Sequence, residues 1–377
     1  MANTNFAALT NEEKTIWARD VWSMARNNSF INQFAGRGAN SMVQRITELR
    51  KSEKGARAVM TLVHDMVSDG VTGDYTLEQR EEALSQDDQV IRIDQLRNGA
   101  RHEGRLADQK SVVMFREQAR DKLAYWASDR MDQLAFLTMA GLSYTYHNNG
   151  KLRPVKGVGQ NFSDLEYAAD IVAPSSERQY RWDAGTTAWV KGADTANLEA
   201  ADGLTYKGLV TMKAIAKEHY IRGIRTGRNE EVFHVFISPT AMAQLKLDSD
   251  YIANVRNAGV RGGSNELFAG TTSVMVDGLV IHEHRHVFNT SAAPSGSKWG
   301  SSGTVNGCAA LFCGAQALGM ADIGNAYWVE KDFDYDNQPG ISVGKMFGFL
   351  KPQFTSIYEE STTTKQDFGV IRLDVAQ

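Results

Sequence analysis

His282-Glu283-His284-Arg285-His286 is the densest run of metal-ligand side chains in the chain. Residues two apart on a strand share a face, so the three imidazoles would point the same way. Three histidines can hold a zinc ion and leave a fourth position open for a reactive water. The chemistry on offer would be metal-assisted hydrolysis. Against it, the run falls on a predicted hairpin, and the sequence marks out no distant acidic or histidine partner. A row of polar side chains on a solvated strand face is therefore expected, with a metal-dependent enzyme built on His282, His284 and His286 as the rival reading.

The other candidates are thinner. Gly157-Val158-Gly159-Gln160-Asn161-Phe162 opens like a dinucleotide loop, but the third glycine is missing and no strand–helix–strand unit surrounds it. Asp332-Phe333-Asp334-Tyr335-Asp336 alternates carboxylates without the glycine and distal glutamate of a calcium loop, which leaves a polar turn after a strand. Cys308 and Cys313, the only cysteines, stand five apart in a small, apolar stretch. That spacing fits neither a zinc site nor a redox pair, so reduced packing thiols and synthesis in a reducing cytoplasm are expected. No Gly-rich phosphate loop with its lysine and no Gly-x-Ser-x-Gly elbow occurs. The expectation is a chain with no catalytic, cofactor-binding or metal-binding residues, and no cofactor.

Bulk properties narrow the class. The chain has 377 residues, 42% hydrophobic and 23% charged, which is enough apolar surface for packed lobes and argues against disorder. No run reaches the roughly 18 apolar residues of a membrane span. Met1-Ala2-Asn3-Thr4-Asn5 lacks the basic patch and apolar stretch of a secretion signal. With 41 basic residues against 45 acidic, a net charge of −4 excludes the strongly basic face of a tight DNA binder.

Several elements must position these residues. Leu9 to Arg26 reads as an amphipathic helix capped by Thr10, with Glu13 at capping-box spacing and Ile16, Trp17, Val21, Trp22 and Met24 as its apolar residues. Phe30 to Gly36 reads as an exposed arm. Trp17, Trp22, Phe30 and Phe34 fall within eighteen residues that offer too little chain to enclose them. They must pack either on a neighbouring copy or on a helix of their own chain. Ala56 to Val67 reads as a strand, Ser68 to Asp74 as turn material, Glu78 to Ser85 as a charged patch, and Gln89 to Asp94 as a returning strand. A hairpin of roughly fifty residues is marginal alone in water, so it is expected to lie across a neighbour.

Ser111 to Ala140 carries the strongest helical pattern. Val112, Phe115, Ala119, Leu123, Trp126, Leu134 and Leu137 fall at steps of three and four, with Arg130 as the polar interruption. Such a helix is about 45 Å long, and Gly141 is a fitting stop. Arg116, Arg120, Lys122 and Asp132 lie off the stripe and are expected to face solvent or another subunit. Residues 150–205 read as loop-rich. Leu204 to His219 reads as a helix and Glu231 to Ile237 as a buried strand, with Ser238-Pro239 opening the next helix. Asp277-Gly278 turns a hairpin, and Ser291 to Asn306 is a Gly/Ser-rich loop. Cys308 to Leu318, Tyr327 to Phe333 and Val343 to Phe354 supply late strands. The class is α+β without internal repeats.

Several of these segments resemble the major capsid proteins of N-four-like podophages and their relatives, among tailed bacteriophages. The resemblance is carried by Asp69-Gly70-Val71-Thr72-Gly73-Asp74-Tyr75-Thr76-Leu77-Glu78 with Glu81-Glu82-Ala83-Leu84, then Ile93-Asp94-Gln95-Leu96-Arg97 and Arg116 to Ala124. Asp170 to Ser175, Gly314 to Gly319, Glu330 to Asn337 and Gly344 to Gly348 continue it in the same order. It covers roughly residues 10 to 355, while 178–205 and the tail after Lys351 depart from the pattern. The resemblance implies the Hong Kong 97-type coat fold, divided into an N-terminal arm (1–50), an extended β-hairpin loop (51–110), a peripheral domain (111–205) with a spine helix (111–141), an axial domain (206–320), and peripheral return strands with a C-terminal tail (321–377). It implies self-assembly into hexamers and pentamers of an icosahedral head enclosing double-stranded DNA, in a virion assembled in the host bacterial cytoplasm. Implied partners are further copies of the chain, a portal, a scaffolding protein and a decoration protein. DNA contact would be weak and non-specific, and no membrane is involved. The expected subunit-interface residues are Trp17, Trp22, Phe30 and Phe34 in the arm and Gly70, Val71, Thr72, Gly73, Asp74 and Glu78 in the loop. An encapsulin-like compartment shell would share the fold and is the second alternative.

Overall fold

One long helix organises its surroundings. The computed structural model describes residues 11–46, 57–63, 66, 68–84, 86–106, 114–227, 230–258, 273–355 and 365–377. Among them α1 covers Asn11–Asn28 and α2 covers Phe115–Ala140. In the first half of α2 the predicted stripe holds: Ala119 and Leu123 are buried and Trp126 is half-buried. From Met131 to Ala140 every side chain is buried, so this half is enclosed on all sides. Val112 and the Thr10 cap lie outside the described residues. Gly141 ends α2 at φ 66°, its N–H bonded to the Leu137 and Thr138 carbonyls. A Cβ there would meet the Val172 oxygen at 2.6 Å and Pro174 Cδ at 2.8 Å. Both the conformation and the space therefore require glycine.

Two sheets flank the helix. In the first, β1 (Ala35–Gly36), β2 (Val43–Ile46), β13 (Leu318–Phe333), β14 (Gln338–Leu350) and β5 (Asp94–Arg101) lie side by side in that order. The β13–β14 pair is an antiparallel hairpin with an irregular register between Ile323 and Tyr327, and β2 joins β13 in parallel. Separately, β3 (Arg57–Val63) and β4 (Gln86–Arg92) pair antiparallel. Ala58, Met60 and Ile91 are buried on one face of this pair, and Ala58 and Ile91 pack with Ala321 and Leu350. Val59, Val63 and Val90 on the opposite face are exposed. The paired part is shorter than the fifty-residue hairpin expected, because the chain leaves it after Arg92 to enter the first sheet as β5.

The second sheet runs β10 (Ser273–Val276), β11 (Leu279–Glu283), β9 (Glu231–Ile237), β12 (Gly307–Cys313), β17 (Val370–Ala376), β6 (Gln179–Asp183) and β7 (Ala188–Lys191), with β8 (Ile224–Arg225) also on β9. Every residue of β12 and β17 is buried, as central strands covered on both faces must be. Helices α3 (Tyr206–Glu218), α4 (Pro239–Leu247) and α5 (Ser249–Ala258) accompany this sheet. Ser238 caps α4 by accepting the Ala241 N–H, and Pro239 opens it. Asp277 and Gly278 have φ of 48° and 73°, the left-handed pair that a tight hairpin demands. A last short hairpin joins β15 (Gln353–Thr355) to β16 (Lys365–Asp367).

The second sheet draws strands from three of the expected segments. Strands β6 and β7, placed within 111–205, belong to the second sheet, and so does β17, placed within 321–377. The reason is burial: Val370 to Ala376 is covered on both faces and fits only between β12 and β6, which it pairs antiparallel and parallel respectively. The Gly157–Gly159 segment is a surface turn held by Asp164, whose carboxylate accepts the Gly159 N–H at 2.9 Å and the Asn161 N–H at 3.1 Å. No dinucleotide-type strand-to-helix unit adjoins it among the described residues.

Leu123, 5% exposed, tests the packing of α2. Leu123→Ala is expected to cost about 2–5 kcal/mol, read by chemical denaturation of dissociated subunits. A loss under about 0.5 kcal/mol would put the stripe in solvent.

Candidate assembly interface

Asp132 does not face solvent as its place off the stripe implied. It is 4% exposed, and its carboxylate accepts hydrogen bonds from Ser29 Oγ at 2.7 Å, Phe30 N at 2.9 Å and Ile31 N at 3.1 Å. Burial raises its pKa, outweighing the three donors that lower it. These donors sit where α1 has ended and a single 3-10 turn, Ile31–Phe34, begins. A few residues earlier, the Lys345 ammonium lies 3.7 Å over the Trp22 ring and reaches Asp322 at 2.5 Å.

The segment expected as an exposed arm is therefore fastened to its own subunit. Trp22 and Ile31 are 4% and 2% exposed, and Phe30 and Phe34 are half-buried. Trp22 packs within its own subunit, while Phe30 and Phe34 keep part of their surface open. Trp22 lies under Lys345 of β14, Phe30 packs on Phe136 of α2, and Phe34 packs on Phe236 of β9. The side chain of Trp17 lies outside the described residues.

The histidines meet this arm. Phe30 stacks on His284 with centroids 4.3 Å apart, and Phe136 stacks on the same imidazole at 5.1 Å. Phe34 packs edge-on against His234 and His282, each at 5.0 Å. His234 Nδ1 and His282 Nε2 are 2.9 Å apart, one donating to the other. Farther out, His286 Nε2 lies 2.7 Å from Asp129, and Arg285 donates to Tyr125 Oη at 2.6 Å and to Asp129 at 3.0 Å. The solvated strand face expected for His282, His284 and His286 is thus corrected to a half-buried aromatic layer. Only His282 lies in β11, so the alternation that would align three imidazoles stops at Glu283. Among the described residues no group of three or more histidine, cysteine, aspartate or glutamate side chains could hold a metal ion.

Burial, with the neighbouring His234, pushes His282 down to about 4. Burial, with His286 and Arg285, pushes His284 down to about 3. At Asp129 burial acts upward, but the His286 hydrogen bond and the charges of His286, Arg130 and Arg285 hold the carboxyl below its usual range. Cys308 and Cys313 are fully buried and unpaired, and burial pushes the Cys308 thiol up to about 11. These are packing thiols without a reactive thiolate.

The loop residues lie apart from this layer. Gly70, Thr72, Gly73, Asp74 and Glu78 are exposed and Val71 is half-buried. Gly70 and Gly73 have φ of 75° and 64°, in open space. Ser68 N donates to Glu82 at 2.8 Å, tying the two sides of the loop together. Between and beyond the predicted residues stand Met66, Tyr75, Leu77 and Leu84, 59%, 72%, 56% and 69% exposed. The sequence reading missed these four and the exposed valines of β3 and β4. The alternation Val59-Met60-Thr61-Leu62-Val63 carried the signal, since every second residue of a half-buried strand faces away from its own core.

A depressed histidine pKa means the fold favours neutral imidazole. Unfolded histidines near 6.5 bind protons that folded His282 and His284 refuse, so stability is full above 6.5 and falls as pH drops through about 4 to 3. Asp132, whose pKa burial raises, acts oppositely as pH falls through its folded value. The melting temperature of the subunit is expected to fall by on the order of 5 °C between pH 7 and pH 4.5. His284→Phe, which keeps the stack on Phe30 and Phe136, should flatten that fall. An unchanged slope in the variant would remove His284 from the acid response. Asp132→Ala is expected to cost roughly 2–4 kcal/mol at pH 7, because Ser29, Phe30 and Ile31 lose their acceptor, again read by denaturation.

Comparison with known proteins completes the picture. Residues 5–377 match the family described as phage capsid protein. The major capsid protein of Pseudomonas phage KPP25 is 58% identical over 373 residues, covering 99% of this chain and 97% of that protein. The capsid of Ralstonia phage GP4 is similar with a TM-score of 0.72 and 23% identity, over 92% of this chain and 90% of that one. The Cyanophage Pam1 capsid asymmetric unit gives a TM-score of 0.71 at 15% identity, over 100% and 96%. The arm, the loop hairpin, the long helix and the two sheets are thus arranged as in the Hong Kong 97-type coat fold of tailed phages. The chain belongs to the phage capsid protein family and is a major capsid protein, a component of a bacteriophage head.

Proposed function

We propose that the chain closes an icosahedral head of hexamers and pentamers around double-stranded DNA, and that its role is structural and not catalytic. The carrying observation is the extended loop. Met66, Tyr75, Leu77 and Leu84, with the outer face of β3 and β4, expose large apolar side chains. Monomeric proteins rarely leave such patches in water. A second subunit supplies the missing cover, with Gly70, Val71, Thr72, Gly73, Asp74 and Glu78 at the contact and the two glycines setting the loop's path.

In this reading α2 and the first sheet form the peripheral domain, and the second sheet with α3, α4 and α5 forms the axial domain. Further copies of the chain are the main partners, joined by a portal, a scaffolding protein and a decoration protein. A net charge of −4 supports weak, non-specific contact with packaged DNA, since tight binding needs many phosphate-neutralising cations.

Deleting residues 68–76 is expected to leave a subunit with unchanged melting temperature that no longer forms particles, read by sedimentation and electron microscopy. Particles of unchanged yield and thermal stability would overturn the bridging role of the loop.

A further inference from the structure

The β13–β14 hairpin ends in a turn that ordinary side chains avoid. Asp334, Tyr335 and Asp336 have φ of 52°, 49° and 64°, and the Asn337 N–H closes the turn on the Asp334 carbonyl at 3.0 Å. Left-handed central residues favour Asn-Gly at this kind of turn, yet here they are tyrosine and aspartate. A bulky residue with positive φ is strained, and such strain marks sites where function requires it. Tyr335 gains nothing inside its own subunit, being 103% exposed. Asp332, Asp334 and Asp336 are exposed around it.

Cations stand at the same end of the first sheet. The Arg101 guanidinium lies 4.4 Å from the centre of the Phe333 ring and the Lys331 ammonium 5.0 Å from it. Arg101 also bonds Gln338. Arg105 follows closely, its backbone N–H donating to Asn337 Oδ1 at 3.2 Å, and both arginines are exposed. Among the described residues neither Asp334 nor Asp336 forms an ion pair with these cations.

We propose that this end is a copy-to-copy contact, in which the Asp334-Tyr335-Asp336 knuckle of one chain seats on the Arg101, Arg105 and Lys331 surface around Phe333 of a second copy. Both halves of the complementary pair sit on one chain, so identical subunits can satisfy each other. Carboxylates meet cations, and the tyrosine ring meets a surface already built to stack guanidinium on an aromatic face. A knuckle fixed by its turn loses little freedom on docking. The contact is separate from the extended loop, though its readout below rests on the shell-forming reading.

Charge reversal in the full chain tests it, under the condition in which the unmodified chain forms shells. Asp334→Lys with Asp336→Lys, and separately Arg101→Glu with Arg105→Glu, are expected to lower particle yield about tenfold with the subunit melting temperature unchanged. The four changes together should restore most of the yield, and raised salt should weaken the unmodified shell. Asp336→Gly gives a second readout: relief of the positive φ should raise the melting temperature of the isolated subunit while the shell becomes less stable. Unchanged yield in both reversals, or a loss that the fourfold variant does not recover, overturns the contact. Since the unmodified chain still forms shells in that case, such a result leaves the shell-forming reading standing.

Discussion

A carboxylate withdrawn from water must find its hydrogen bonds inside the protein, and Asp132 finds them in three successive residues, Ser29, Phe30 and Ile31. That constraint fixes where α1 ends and which way the chain leaves it. Phe136 lies one helical turn beyond Asp132, on the same side of α2, and Phe30 packs over it at 6.3 Å. Phe30 then contacts His284 beyond β11, and Phe34 reaches Phe236 in β9. Directly after this, β2 pairs with β13. Residues 29 to 46 therefore link the long helix, the second sheet and the first sheet in one passage that starts at the Asp132 clasp.

Apolar residues could fill the same space with comparable stability, since buried charges seldom stabilise more than well-packed hydrophobic side chains. They would not specify direction. Leucines slide along an apolar surface, whereas a carboxylate with two backbone N–H donors and one hydroxyl accepts only one placement of the chain. The histidines work in the same manner. His234 and His282 share a proton-mediated contact at 2.9 Å, and each presents a flat ring to Phe34. Their neutral forms suit this layer, which is why burial lowers their affinity for protons. Specificity of packing is gained at the cost of tolerance to acid.

Local physics made much of the fold legible. The three-and-four spacing found α2, Gly141 marked its end, Glu231 to Ile237 emerged as β9, and Ser238-Pro239 and Asp277-Gly278 behaved as their side-chain and backbone preferences require. Pairing between distant segments was not legible. Nothing near Val370 announces that it lies between β12 and β6, nor does Val43 announce a parallel partner at Leu318. Asp132 was invisible for a related reason, because an acidic residue off an apolar stripe looks solvated until its donors arrive from a hundred residues away. The same gap hid the cover of Trp22: the sequence shows how little chain surrounds it, but not that Lys345 lies over its ring. At the extended loop the glycines were legible through their turn chemistry, whereas the exposed valines of β3 and β4 became informative only once one face was known to be occupied.

The outcome is a division between a subunit interior that over-determines the arm and a perimeter that leaves work unfinished. Inside, Asp132, Trp22 and the histidine–aromatic layer satisfy one another within a single chain. At the perimeter, the loop around Gly70 to Leu84 exposes apolar side chains, and the hairpin turn at Tyr335 holds a conformation with no return inside its own subunit. Marginal free energy of this kind suits a shell, in which each contact is repeated many times and none needs to be strong alone. A perimeter that satisfied itself would give a stable monomer with little drive to associate, and an unfinished interior would let the arm detach and pair indiscriminately. On the proposed reading, fastening the arm while exposing the loop would restrict association to surfaces that a second copy can complete.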